Sequence, residues 1–180
     1  SSSQVYRPIN RPIKETDKPK PESLYGFAKL SAEEILLSSG LDYIILRLSN
    51  VYGPGCRPNY NSVIATFCNR STNQKPLTVN GDGSQGRDFV YVDDIVRAFL
   101  LSANIKSRIK TFNVSSGKII SLKTILNQIG HKLPGLQVTY NKDADMGGLS
   151  YCCDFSRFKT QCGWTPKVFL KKGINNTLDY

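Results

Sequence analysis

One histidine, one tryptophan and one methionine stand in 180 residues, and five cysteines are scattered without a Cys-x-x-Cys spacing. A zinc site needs four nitrogen or sulfur ligands brought close together. His131 with Cys56, Cys68, Cys152, Cys153 and Cys162 therefore predicts no metal. The odd cysteine count, in residues with no signal-peptide-like segment, predicts free thiols in a reducing cytosol and a cytoplasmic protein rather than a disulfide framework. Cys152 and Cys153 would face opposite ways in a strand and are not expected to bond to each other. No long apolar run occurs, which excludes a membrane-spanning helix. No block of Lys and Arg with interleaved aromatics occurs either, so nucleic acid is not the expected partner despite a net charge of +10. No Gly-x-Gly-x-x-Gly or Gly-x-x-Gly-x-x-Gly dinucleotide fingerprint is read after a strand, and Gly81-Asp82-Gly83-Ser84-Gln85-Gly86 reads as a tight turn. Repeats and low-complexity tracts are absent.

The hydrophobic content of 39% over 180 residues is enough for one core and not for two. The basic residues run from Arg7 to Lys172 without clustering, which fits an anionic ligand. The sequence is organised around Ser23-Leu24-Tyr25-Gly26-Phe27-Ala28-Lys29. Tyr25 and Lys29 stand four apart, so on a helix they share one face. A phenol ordinarily loses its proton near pH ~10, and an ammonium beside it favours the phenolate, which makes the pair a candidate base. Gly26 and Ala28 leave room for a flat ligand.

Along the chain, residues 1–6 read as a strand end with hydroxyls on its tip. The proline-dense segment 7–22 reads as a loop, and 23–39 as a helix ended by Gly40. Residues 42–48 form an apolar run with β-branched side chains, predicting a parallel strand covered on both faces. Ser49-Asn50-Val51-Tyr52-Gly53-Pro54 follows at its carboxyl end, where open α/β sheets bind ligands. A helix is predicted over 62–74 and a strand over 76–79. Asp93 is expected to cap a helix over 94–104 with Ile95, Ala98, Phe99 and Ser102 at helical spacing. Asp88 is expected to orient its neighbourhood. Residues 111–114 and 136–140 read as strands. Ser121 is predicted to cap a helix to about Leu133 with Leu122, Ile125, Leu126 and Ile129 inward, and His131 reads as a surface or capping residue near its end. Trp164 reads as a core plug, and 170–180 as a terminal helix.

A Ser at a strand end, the Tyr25-x-x-x-Lys29 helix, Arg47-x-x-Asn50-Val51-Tyr52-Gly53-Pro54 and Arg87-Asp88-Phe89-x-x-Val92-x-Asp94 stand in the order of one pattern. The sequence resembles the extended short-chain dehydrogenase/reductases, the NAD-dependent sugar epimerase/dehydratase family, and within it the UDP-glucose 4-epimerases and their relatives in surface-polysaccharide synthesis. The resemblance implies the C-terminal part of a Rossmann-like doubly wound parallel sheet plus a small α/β substrate-binding region. Residues 1–56 would carry the catalytic elements and 57–180 mainly the nucleotide-sugar region, with about 88–115 returning to the sheet. It implies Ser2, Tyr25 and Lys29 as catalytic residues, and Tyr25, Lys29 and Val51 against the cofactor, NAD rather than NADP. Ser3, Asn50 and Arg87 would contact a nucleotide-diphosphate sugar. It also implies a homodimer through the Tyr25/Lys29 helix.

Because the chain opens on Ser1 inside a strand end, the resemblance further implies roughly a hundred residues ahead of it, by analogy with complete α/β domains. The chain is then a fragment, one part of a split enzyme or the remnant of a decayed gene. Gln4 stands where dehydrating relatives commonly place Glu, and an amide transfers no proton. Epimerisation or 4-keto reduction is therefore expected ahead of dehydration. Arg7 replaces a usual Gly, and Asp143 and Asp145 lie where a phosphate-binding Arg is usual, which argues against full activity. A non-catalytic binding remnant and a basic nucleic-acid-binding protein remain the readings from other classes.

Overall fold

A computed structural model describes residues 1–60, 62–144 and 148–180. Its longest helix is α1, Leu24–Ser38. Ser23 caps it, accepting from the amide of Gly26 at 3.0 Å, and Gly40 leaves it with φ 71°, a left-handed step that only glycine takes without cost. β1 (Ile45–Leu48) and β2 (Asn50–Tyr52) follow, separated by Ser49. α2 (Val63–Thr72) is capped by Ser62, and β3 (Leu77–Asn80) alternates buried and exposed residues. After the glycine turn come β4 (Gly86–Arg87), β5 (Phe89–Tyr91) and α3 (Val92–Ser102). β6 (Thr111–Val114), β7 (Ile120–Ser121), α4 (Leu122–Lys132) and β8 (Val138–Asn141) precede two short closing helices, α5 (Ser156–Cys162) and α6 (Leu170–Leu178).

Three pairings are parallel: β1 with β6, β2 with β5, and β3 with β8. Among the described residues only the two-residue pair β4–β7 is antiparallel. Parallel neighbours need crossovers, and the helices supply them, so the chain is an α/β protein. Ser2 adds a parallel bridge to Leu48 on the other edge of β1. Leu46, Phe112 and Val114 project from one face of the β1–β6 pair into a cluster with Ile95, Ala98, Phe158 and Trp164. A larger cluster joins Tyr52 and Phe89 to α2, α4 and α6. There α6 comes so close that a Cβ on Gly173 would lie 2.3 Å from the hydroxyl of Tyr52.

Several expectations change in detail. The strand end at 1–6 is a strand only at Ser2. The chain then tightens into a 3₁₀ turn over Ser3–Val5, because the Ser2 hydroxyl accepts from the amide of Gln4 at 3.2 Å. The strand predicted from Asp42 begins at Ile45. Asp93 does not cap α3: the helix starts at Val92, its N-terminal flank is Tyr91, and no side chain caps it. The neighbouring Asp94 is the one buried. It accepts from the amides of Lys167 and Val168 at 3.0 Å, pairs with Arg97 at 2.9 Å, and its carbonyl accepts from Trp164 Nε1. Of the residues at helical spacing on α3, Ile95, Ala98 and Ser102 are buried and Phe99 is exposed. Gly81, Gly83 and Gly86 do follow β3 at Gly-x-Gly-x-x-Gly spacing. They lead into β4 and not into a helix, so the turn has no helix N-terminus to hold a phosphate. Asp143 is exposed, and Asp145 lies outside the described residues. All five cysteines are free thiols. No described helix is long and apolar enough to cross a membrane, and the described residues hold no metal-binding cluster.

Candidate active site

Two adjoining cavities open at the carboxyl ends of β1 and β2, where parallel sheets leave a crevice. The first, of about 620 Å³, is lined by Ser2, Tyr25, Ser49, Val51, Cys56 and Tyr60 among others. The second, of about 440 Å³, is lined by Tyr6, Glu22, Arg87, Leu149 and Tyr151 among others. Gln4 and Asn50 border both. Such volumes suit small-molecule ligands.

The helix α1 delivers Tyr25 to the first cavity. Gly26 makes this possible, since it packs directly on the backbone of Gln4 and leaves no room for a side chain between helix and turn. Lys29 lies one helical turn on, its Nζ 5.3 Å from the centroid of the Tyr25 ring. The ammonium thus stands over the ring face, an attractive placement in its own right. Ser2 is buried at the cavity floor. Cys56 also faces this cavity, and burial pushes its thiol above the ordinary range, away from the thiolate that nucleophilic chemistry needs.

Asn50 is fixed by Asp88: its amide and its Nδ2 both donate to the Asp88 carbonyl at 3.0 Å. The Asp88 carboxylate turns inward and accepts from the amides of Ser116, Gly117 and Cys153 and from the Ser116 hydroxyl. Burial raises its pKa in spite of these donors. Asp88 therefore orients its surroundings, as its sequence position suggests, and tethers the 115–117 turn and Cys153 to the cleft wall. Arg87 borders the second cavity and donates to the carbonyl of Gly86 at 2.8 Å.

Ser3 goes elsewhere. It is buried, with its hydroxyl 3.3 Å from that of Tyr151, and it is Tyr151 that borders the second cavity. Burial also raises the Tyr151 phenol above its ordinary value. No local signal in the sequence marks this tyrosine, which arrives from the far end of the chain. Arg7 pairs with Glu22 at 3.1 Å on the rim of the second cavity. Gln4 accepts from the Ser23 hydroxyl at 3.1 Å, which ties the turn after Ser2 to the cap of α1.

The hydroxyl of Ser49, at the wall of the first cavity, is buried and has no partner among the described residues. An unpaired buried hydroxyl costs about 1–3 kcal/mol. A ligand with a polar edge would relieve it, so the first cavity is chemically suited to the amide-bearing ring of a nicotinamide.

A parallel α/β sheet presenting Ser2 and Tyr25 at a cleft at its strand ends, with Lys29 beside the tyrosine ring but outside the cavity lining, defines an enzyme of the Rossmann-like class. The family model described as "NAD dependent epimerase/dehydratase family" matches residues 1–115, and the chain belongs to that family. A putative UDP-glucose 4-epimerase of Methanocaldococcus jannaschii is 33% identical over 100% of this chain and 60% of its own length. A dTDP-4-dehydro-6-deoxyglucose reductase of Escherichia coli is 32% identical over 99% of this chain and 58% of its own length. Among solved structures, the UDP-glucuronic acid 4-epimerase of Bacillus cereus, in complex with UDP-glucuronic acid and NAD, superposes with a TM-score of 0.90 at 28% identity, over 100% of this chain and 59% of that one. The chain thus spans about three fifths of the length of the curated relatives it matches.

Proposed function

We propose that the protein carries out NAD-dependent epimerisation of a nucleotide-diphosphate sugar, of the UDP-hexose 4-epimerase type, with residues 1–56 supplying the catalytic elements and 57–180 mainly the sugar-nucleotide site. The observation that carries this reading is the placing of Ser2, Tyr25 and Val51 around one cavity that shares Gln4 and Asn50 with a second cavity bordered by Arg87. NAD, held against Tyr25, Lys29 and Val51, would supply reversible hydride transfer at the sugar carbon. Tyr25 takes the proton of the sugar hydroxyl to give a 4-keto sugar, Lys29 holds Tyr25 and the cofactor ribose, and Ser2 shares the proton path. Asn50 and Arg87 hold the diphosphate, the guanidinium as a planar fork of donors. Ser3, through its contact with Tyr151, acts on the substrate indirectly. Leu24, Phe27 and Ile35 stand exposed on α1, and we read that face as the seat of a second subunit in a cytoplasmic homodimer.

Keto-reduction is the second reading, supported by the similarity to the Escherichia coli reductase and by the same amide at Gln4. Dehydration is not expected, because Gln4 borders both cavities where a carboxylate would be needed. Incubating the full-length protein and NAD with UDP- and dTDP-hexoses, and separating the products by chromatography, should give the C4 epimer. A 4-keto-6-deoxy sugar as main product would overturn the assignment.

The 180 residues by themselves should show no saturable micromolar binding of NAD by calorimetry. The cavity suits the nicotinamide end, but among the described residues no strand runs through a glycine turn into a helix to cradle the pyrophosphate. Tight binding would mean that a second kind of pyrophosphate site exists in this chain.

A further inference from the structure

Of the fifteen residues of α1, only Gly26 and Glu33 are buried. The helix that carries Tyr25 and Lys29 meets the chain through half-buried Leu30, packed against Val5, Tyr6 and Ile13, and through Gly26 on Gln4, contacts that carry no directional bond to set its rotation. The directional contact is made by Glu33, which continues the same four-residue spacing one turn beyond Lys29. The Glu33 carboxylate accepts from Arg47 Nε at 3.0 and 3.2 Å and from Nη2 at 2.6 Å. It also accepts from the hydroxyl of Ser1, next to Ser2, at 2.5 Å. Arg47 Nη1 donates to the Tyr6 hydroxyl at 2.7 Å, and that hydroxyl donates to Asn113 Oδ1 at 3.0 Å. Arg47 and Asn113 are register partners in the β1–β6 pair, so they rise from the same sheet face. Glu33, Arg47, Tyr6 and Asn113 are all buried.

A buried ion pair is a poor device for stability alone, since apolar side chains of the same volume do as well or better. Its best-attested use is to select one register among several. A guanidinium that reaches both carboxylate oxygens fixes direction as well as distance. Helix positions are 100° apart, so a one-residue rotation of α1 would swing Tyr25 out of the cleft.

We propose that the buried Glu33–Arg47 pair, braced by Tyr6 and Asn113, is the positioning device that sets the rotation of α1 and so holds Tyr25 and Lys29 against the cleft. The inference rests on Tyr25 and Lys29 being the acid–base pair. Glu33 and Arg47 act through them and touch no substrate.

The test uses the full-length protein and three variants: Arg47→Lys, which keeps the charge and loses the fork; Tyr6→Phe, which removes one hydroxyl; and the charge-free double Glu33→Leu/Arg47→Met. Turnover, KM for the nucleotide sugar, thermal midpoint and hydrogen exchange of the 24–38 segment are measured. Arg47→Lys should lose about tenfold or more in kcat with KM within about threefold, as expected for a misplaced reacting group. Exchange should quicken over 24–38 and stay unchanged over 111–114. The double variant should recover the thermal midpoint without recovering kcat. Overturning results are a kcat within about threefold of wild type in folded Arg47→Lys, or full recovery of kcat in the double variant. Should Arg47→Lys not fold, Tyr6→Phe decides: a loss of about threefold or more in kcat at constant KM supports the proposal, and unchanged kcat overturns it. A wild-type protein inactive on every nucleotide sugar would sink the functional reading alone, because the exchange measurement still decides whether the pair anchors α1.

Discussion

Tyr25→Phe in the full-length protein should lower turnover by about 100- to 10,000-fold while KM for the nucleotide sugar changes little. The substitution removes one oxygen and keeps the ring, so the Lys29 contact with the ring face survives. The side chain is half exposed at the mouth of the first cavity, and its loss of a hydroxyl leaves no buried group unpaired. Any fall in rate then reports the missing proton acceptor and not a collapsed site. Lys29→Ala should reduce turnover as well and should weaken NAD binding, because the ammonium serves two partners. Ser2→Ala should be milder, since a water can share the proton path. Turnover of Tyr25→Phe within threefold of wild type would end the catalytic assignment of the pair.

The second large effect is expected at Gly26, which touches no ligand. A Cβ there would sit 2.2 Å from the carbonyl oxygen of Gln4, 2.9 Å from Pro21 Cβ and 3.1 Å from the Gln4 carbonyl carbon. Two of these atoms are backbone and cannot swing away, so α1 itself must lift from the turn that follows Ser2. Overpacking of this kind costs about 1–3 kcal/mol, while replacing a helical glycine by alanine returns about 1 kcal/mol. The net effect on the thermal midpoint should be a few degrees. Turnover should suffer more, because a displacement of about 1 Å in a reacting group costs on the order of a hundredfold. Gly26→Ala is therefore predicted to be nearly as folded as wild type and severely impaired in turnover. A variant with normal turnover would show that the close approach of helix and turn is incidental to the site.

The helices were legible because their boundaries are written locally: Ser23, Ser62 and Ser121 each accept from the amide three residues on. The parallel strands β1, β3, β6 and β8 were legible as short apolar runs, and the cleft as the segment after such a run, whereas β2 and β5 were not read as strands: each is three residues long and is defined by its pairing with the other. What escaped was decided by partners far along the chain. Asp93 and Asp94 are equal candidates for a helix cap, and only the arrival of the 164–168 segment, with its amides, draws Asp94 inward. Ser2 and Ser3 look alike, yet the 3₁₀ turn sends one to the cavity and the other to Tyr151. The Glu33–Arg47 pair left two faint traces: a carboxylate continuing the Tyr25–Lys29 spacing, and a charged residue inside an otherwise apolar strand. Neither trace names the other as its partner.

The parallel pairings also set the order in which the molecule can be made. β1 waits for β6, and β3 waits for β8, and a strand without its partner presents open amides and carbonyls. Ile13, near the beginning, is bridged to Cys153, near the end. Pairings this distant in sequence are slow to form, because the closing of each loop must precede its reward. During synthesis Glu33 on the Tyr25 helix has no guanidinium to pair with until Arg47 follows it out, and Tyr6 waits still longer for Asn113. The second cavity cannot close until Tyr151 has left the ribosome, so the nascent chain passes through a long interval with its strand edges uncovered and its cleft half built.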